Sequence, residues 1–137
     1  MLMKVDKSTI REKLNNFLSA YDDAILVFLF GSYAGDEVTV FSDLDIAIFF
    51  RESPDIYAFN ELREKLERTL HIAVDVVTLN SASPVIRMQV LKKGVLLINR
   101  DARVYNTFFV DTVKAYDDLK RNRKEIEENI LKGRIYA

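Results

Sequence analysis

The chain of 137 residues contains no cysteine, which excludes disulfides and thiolate metal sites. It is also poor in the residues that interrupt regular structure, with four glycines and two prolines. No repeat, linker or low-complexity tract is visible, so residues 1–137 read as one domain with a single core. Neither sign of charge dominates. Twenty Lys+Arg stand against twenty-one Asp+Glu, whereas a bulk nucleic-acid binder would carry a basic excess, so direct nucleic-acid binding is not expected. Long apolar runs are missing as well. The longest, Ala24–Phe30, falls far short of the about 20 residues a membrane helix needs, and MLMKVDKSTI has no signal-peptide core. A cytoplasmic protein with no membrane contact is the expectation. The single histidine, His71, has no His or Cys companion and no serine placed beside it, so it reads as structural.

What the chain does have is clear periodicity. Ile10, Leu14, Phe17, Leu18 and Tyr21 form a helical stripe over residues 7–21. Ala24–Phe30 is continuously apolar and stops at Gly31, the pattern of a buried strand. Asp43–Phe50 predicts a second strand, with Leu44, Ile46, Ile48 and Phe50 on one face and Asp43, Asp45, Ala47 and Phe49 on the other. Ser53-Pro54 opens a helix whose buried side is Phe59, Leu62, Leu66 and Leu70. Ile72–Leu79 predicts a third strand. A short helix from Ser83-Pro84 stops at Gly94, and Val95–Ile98 predicts a fourth strand. A long helix then spans about 101–132, with Phe108, Thr112, Tyr116, Leu119, Ile126 and Ile130 at helical spacing. Its charge run Lys120–Asn129 is most simply a solvated face; the sharper reading is a partner-docking surface. The order predicts an α/β (α+β) fold, a small mixed sheet with helices mainly on one face and a long C-terminal helix.

The chemistry gathers at two places. Asp43 and Asp45 are two apart at the mouth of the second strand, so both aim at one spot, close enough to share divalent cations. Nucleotidyl transfer with two metals uses ions about 3.5–4 Å apart, bridged by carboxylates. The plain alternative is a strand end whose acids merely blunt an edge. Asp75 interrupts an otherwise apolar strand, where an ionised carboxylate is costly unless a cation or a catalytic role compensates. If the second and third strands are neighbours, Asp75 completes a triad, binding metal and accepting the proton of an attacking hydroxyl. Gly31-Ser32 directly follows the first strand, where a glycine turn lets backbone N–H groups approach a phosphate.

Gly31-Ser32, ten intervening residues, Asp43-Leu44-Asp45 and the later strand acid Asp75 together resemble the polymerase-β-like nucleotidyltransferase superfamily. Val74–Asp101 and the C-terminal helix are similar to the minimal nucleotidyltransferase (MNT) antitoxins, so the resemblance covers nearly the whole chain. It implies the polymerase-β-like fold and an Mg2+-dependent enzyme using ATP, two ions being expected. Asp43, Asp45 and Asp75 match the metal and catalytic carboxylates; Gly31 and Ser32 match the nucleotide-binding positions. It further implies a HEPN-domain ribonuclease toxin as partner, held in a hetero-oligomer and silenced by AMP on a tyrosine. One departure stands out. The family often carries a basic residue after Gly-Ser-x-Ala, whereas this chain has Gly35-Asp36, leaving Arg51 and Arg87 as candidates for a replacement cation.

Three functions are therefore open. The first is an adenylyltransferase acting on a toxin. The second is a small-molecule (aminoglycoside-like) nucleotidyltransferase completed by a helical subunit, and the third a non-catalytic antitoxin that neutralises by binding.

Overall fold

The computed structural model describes residues 7–31 and 43–132. Its elements run α1 (Lys7–Ser19), β1 (Ala24–Phe30), β2 (Leu44–Phe50), α2 (Ile56–Leu70), β3 (Val74–Thr78), α3 (Pro84–Lys93), β4 (Val95–Asn99) and α4 (Ala102–Leu131). The strands form a mixed sheet ordered β3-β2-β1-β4. β1 is antiparallel to both β2 and β4, and β2 is parallel to β3. Among the described residues no helix is long and apolar enough to cross a membrane.

Strand alternation sorts the apolar side chains into two layers. Val27 and Leu29 of β1, Leu44, Ile46, Ile48 and Phe50 of β2, and Val74 of β3 pack with Ile10, Leu14 and Leu18 of α1 and Leu62, Leu66 and Leu70 of α2. The other face carries Leu26, Phe28, Ala47, Phe49 and Val77, covered by Val90 and Leu91 of α3 and Val104, Tyr105 and Phe108 of α4. The helices therefore do not gather mainly on one face, as the element order suggests, but divide two and two. The reason lies in β1, which is buried along almost its whole length and needs cover on both sides.

Helix ends follow local chemistry. α2 starts later than Ser53-Pro54 implies: Asp55 is the cap, its Oδ1 accepting the Ala58 N–H at 2.8 Å, and Pro54 lies before it. His71 ends α2 in the left-handed conformation, φ 58°, its N–H donating to the Glu67 carbonyl. Ser83 caps α3 with Pro84 in the first turn, and Gly94 ends it. Asp101 caps α4.

The directions of the elements define two ends of the sheet. β2 and β3 begin, β1 finishes and β4 begins at one end, where Asp45 pairs with both Phe30 and Asp75, and Leu29 pairs with Val95. Side-chain ties sit at the other end. Asn80 clasps Phe50, its Nδ2 donating to the carbonyl and its Oδ1 accepting the N–H, each at 2.9 Å. Arg100 donates from Nε to the Ala24 carbonyl at 2.9 Å and from its guanidinium to the Leu18 carbonyl. α3 and α4 both run towards the acid end, and Lys92 Nζ lies 5.8 Å from the Tyr116 ring centroid. Past Tyr116 the long helix leaves the body: apart from half-buried Asn129, residues Asp117–Lys132 are exposed.

Asn80→Ala removes both clasp bonds on Phe50 and leaves backbone groups unpaired. It is expected to lower unfolding free energy by about 1–3 kcal/mol, read from the urea midpoint.

Candidate functional site

β2 and β3 pair in parallel with Asp45 beside Asp75, so the two carboxylates leave the sheet on the same face, the one covered by α3 and α4. Asp43 precedes β2 by one residue and shares that parity. Asp45 is half-buried, whereas Asp43 and Asp75 are exposed. Gly31 follows the last residue of β1 and bends back with φ +71°, and a Cβ placed there would overlap Oδ2 of Asp45. The glycine is thus required twice, for its left-handed backbone and for its close approach to a carboxylate.

Electrostatics mark the cluster. The Asp45 carboxyl is pushed above its ordinary value, first by burial, then by the negative charges of Asp75 and Asp43. No lysine or arginine among the described residues offsets them. The pattern expected from sequence is therefore partly inverted. Asp75 was the residue expected to be costly in an apolar strand, yet β3 is an edge strand, half-covered beyond Val74, and Asp75 lies in the open. The desolvation falls on Asp45, and Asp75 belongs to the cluster by register. Among the described residues no three His, Cys, Asp or Glu side chains close into a ready-made metal cage. The donor set nevertheless suits a hard divalent cation. It is all oxygen, and it holds a half-buried carboxylate beside like charges that a cation would relieve.

Ser32, and with it Gly35-Asp36, lies outside the described residues. Arg51 and Arg87 stand at the end of the sheet away from the acids. Arg51 follows β2 and lies 4.0 Å from Asp23. Arg87 donates to the carbonyls of Leu79 and Asn80, each at 2.9 Å, and stacks 5.3 Å from the Phe108 centroid. Neither supplies the missing cation. Cations that do stand on the α3/α4 face towards the acid end are Lys92 and Lys120, which flank Tyr116 at 5.8 and 5.5 Å. Lys120 opens the charge run read from the sequence as a solvated or partner-docking face, whereas Lys92 was passed over, although its place in the last turn of α3 was a visible signal. Of the phenylalanines near this face, Phe28 and Phe108 are buried, Phe30 and Phe49 are half-buried and Phe109 is 45% exposed. A cavity of about 440 Å³ between α1 and α2, lined by Phe17, Tyr21, Glu61 and Lys65 among others, opens on the opposite face from the acids.

The model of the polymerase beta nucleotidyltransferase family matches residues 12–103, which include all four strands, Gly31-Ser32 and the three acids. The protein adenylyltransferase MntA of Shewanella oneidensis is 35% identical over 108 residues, 77% of this chain and 76% of that protein. The chain belongs to the polymerase β nucleotidyltransferase family, in its minimal, MntA-like branch. It is a nucleotidyltransferase by that membership. MntA of Thermococcus cleftensis is 40% identical over 67 residues, 49% of this chain and 68% of that protein. Solved structures agree across the fold. A toxin–antitoxin crystal structure with AMP-PNP superposes with a TM-score of 0.76 at 32% identity, covering 88% of this chain and 98% of that one. The MNT antitoxin in complex with tri-AMPylated Shewanella oneidensis HEPN toxin gives 0.72 at 30%, covering 92% and 99%.

Two measurements probe the cluster. Because folding raises the Asp45 pKa, its contribution to stability is fully present below the unfolded carboxylate pKa of about 3.9 and is lost as pH rises through the folded value. Asp45→Asn is therefore expected to raise Tm at pH 7 in metal-free buffer, with the gain disappearing in acid below about pH 4. A gain that persists in acid contradicts the assignment. Gly31→Ala is expected to cost about 1–2 kcal/mol from the left-handed backbone alone, read by urea unfolding.

Proposed function

We propose that this chain transfers AMP from ATP to a tyrosine hydroxyl of a partner HEPN-domain toxin and thereby acts as its antitoxin. The observation that carries the reading is the convergence of Asp45, Asp75 and Gly31 at one end of the sheet, with Asp43 alongside. Support comes from relatives with the same fold, one crystallised with AMP-PNP and another with an AMP-modified HEPN toxin. An open cluster at a sheet end also suits an acceptor that brings its own surface. The whole chain, 1–137, acts as one catalytic unit in this reading, and ATP as donor fits a cytoplasmic setting.

The roles divide by exposure. Asp43, Asp45 and Asp75 would hold Mg2+, which when bound neutralises charge on the phosphates of ATP. Asp45, packed against Gly31, fixes the inner position of the cluster. Gly31 lets the backbone approach the triphosphate, and Ser32 adds a hydroxyl donor. Asp75 lies on the exposed edge strand, where a hydroxyl carried by a partner can reach it, and takes the proton from that hydroxyl. The oxygen so freed forms a bond to the α-phosphorus as the bond to the bridging oxygen breaks, and pyrophosphate leaves in line. A tyrosine with a pKa of about 10 needs such a base near neutral pH.

Incubation with ATP, Mg2+ and a HEPN toxin that the chain binds is expected to add one or more AMP masses to a toxin tyrosine, read by intact and fragment mass spectrometry. EDTA should stop the reaction, and Asp43→Asn with Asp45→Asn should slow it by roughly two to three orders of magnitude. A toxin left unmodified by the wild-type protein would sink the proposal.

A further inference from the structure

We propose that the projecting half of α4, Asp117–Leu131, is the arm that seats the protein acceptor beside the acids. The proposal rests on the reading above that the acceptor is a protein.

Length and direction are the first argument. The 30 residues of α4 span about 45 Å, whereas the strands, of five to seven residues, span about 17–23 Å. α4 begins beyond β4 at the far end and passes Lys92 at Tyr116, so its remaining turns overhang the end that bears Asp45 and Asp75. It lies on the same face of the sheet as those two carboxylates. A molecule gripped by the overhang is held next to the acid cluster.

The surface of the arm is the second argument. The apolar stripe buried on the body at Phe108 and Thr112 continues at helical spacing as Leu119, Ile126 and Ile130, which are 41%, 54% and 53% exposed. A helix of about 12–15 residues is marginal in water without packing on its apolar side, so this stripe is suited to a partner surface. Charge fixes the orientation of that partner. Lys120, Arg121, Arg123 and Lys124 outnumber Asp117 and Asp118 in the inner part of the arm, with Arg121 paired to Asp118, whereas Glu125, Glu127 and Glu128 lie farther out, ahead of Lys132. The fitting acceptor is a folded protein with an apolar helical face, acidic residues near the hydroxyl it presents and basic residues farther away.

The test uses the full chain carrying Ile126→Glu and Ile130→Glu, both exposed, with the toxin as probe. The equilibrium dissociation constant for the toxin and the KM for the toxin are each expected to rise about tenfold or more, with kcat and KM for ATP unchanged. Unchanged toxin affinity overturns the arm. So does sedimentation of the wild-type chain alone as a dimer that these substitutions split, because the stripe would then belong to a second copy. Wild type that binds the toxin but transfers no AMP defeats the transfer reading instead, and the arm is then judged on the dissociation constants alone.

Discussion

The parallel pairing of β2 with β3 is the constraint on which the site depends. It sets two negative side chains next to each other, an arrangement that folding alone would avoid. A slip of one residue would send Asp75 to the α1/α2 face and bring an apolar side chain alongside Asp45. The register is secured by material that has nothing to do with charge. Leu44, Ile46 and Ile48 are fully buried on the opposite face, Val74 is nearly so, and Asn80 closes the far end of the strand pair. The acids are carried into proximity by apolar neighbours whose burial outweighs their mutual repulsion.

Much of this was legible in the sequence because the strands announce themselves. The alternation in Asp43–Phe50 gives both the strand and the face on which its acids stand, and the structure keeps that division intact. The caps at Ser83 and Asp101 were equally readable, since polar side chains before helical runs satisfy free N–H groups. Other features escaped for physical reasons. Whether helices cover one face or two depends on how the chain crosses the sheet, and only the unbroken apolar run of β1 hinted at cover on both sides. Burial of Asp75 was over-read because composition cannot distinguish an edge strand from a central one. The positions of Arg51 and Arg87 depend on strand direction, which no local pattern encodes.

The glycine at the end of β1 shows how backbone and side-chain demands can coincide at one atom. A side chain at Gly31 would meet the Asp45 carboxylate, and an ordinary residue would resist the backbone angle. The same bend thus brings the main chain against the most desolvated acid of the cluster. The Gly and Asp signals, ten residues and more apart in sequence, belong to one packing contact.

The hydrogen bonds that Asn80, Arg87 and Arg100 make to backbone groups, and the approach of Arg51 to Asp23, all lie away from the acids. Durability and reactivity consequently occupy opposite poles of a very small molecule. Exposed side chains around the acid end, Gly31 apart, can change with little penalty to the anchored end.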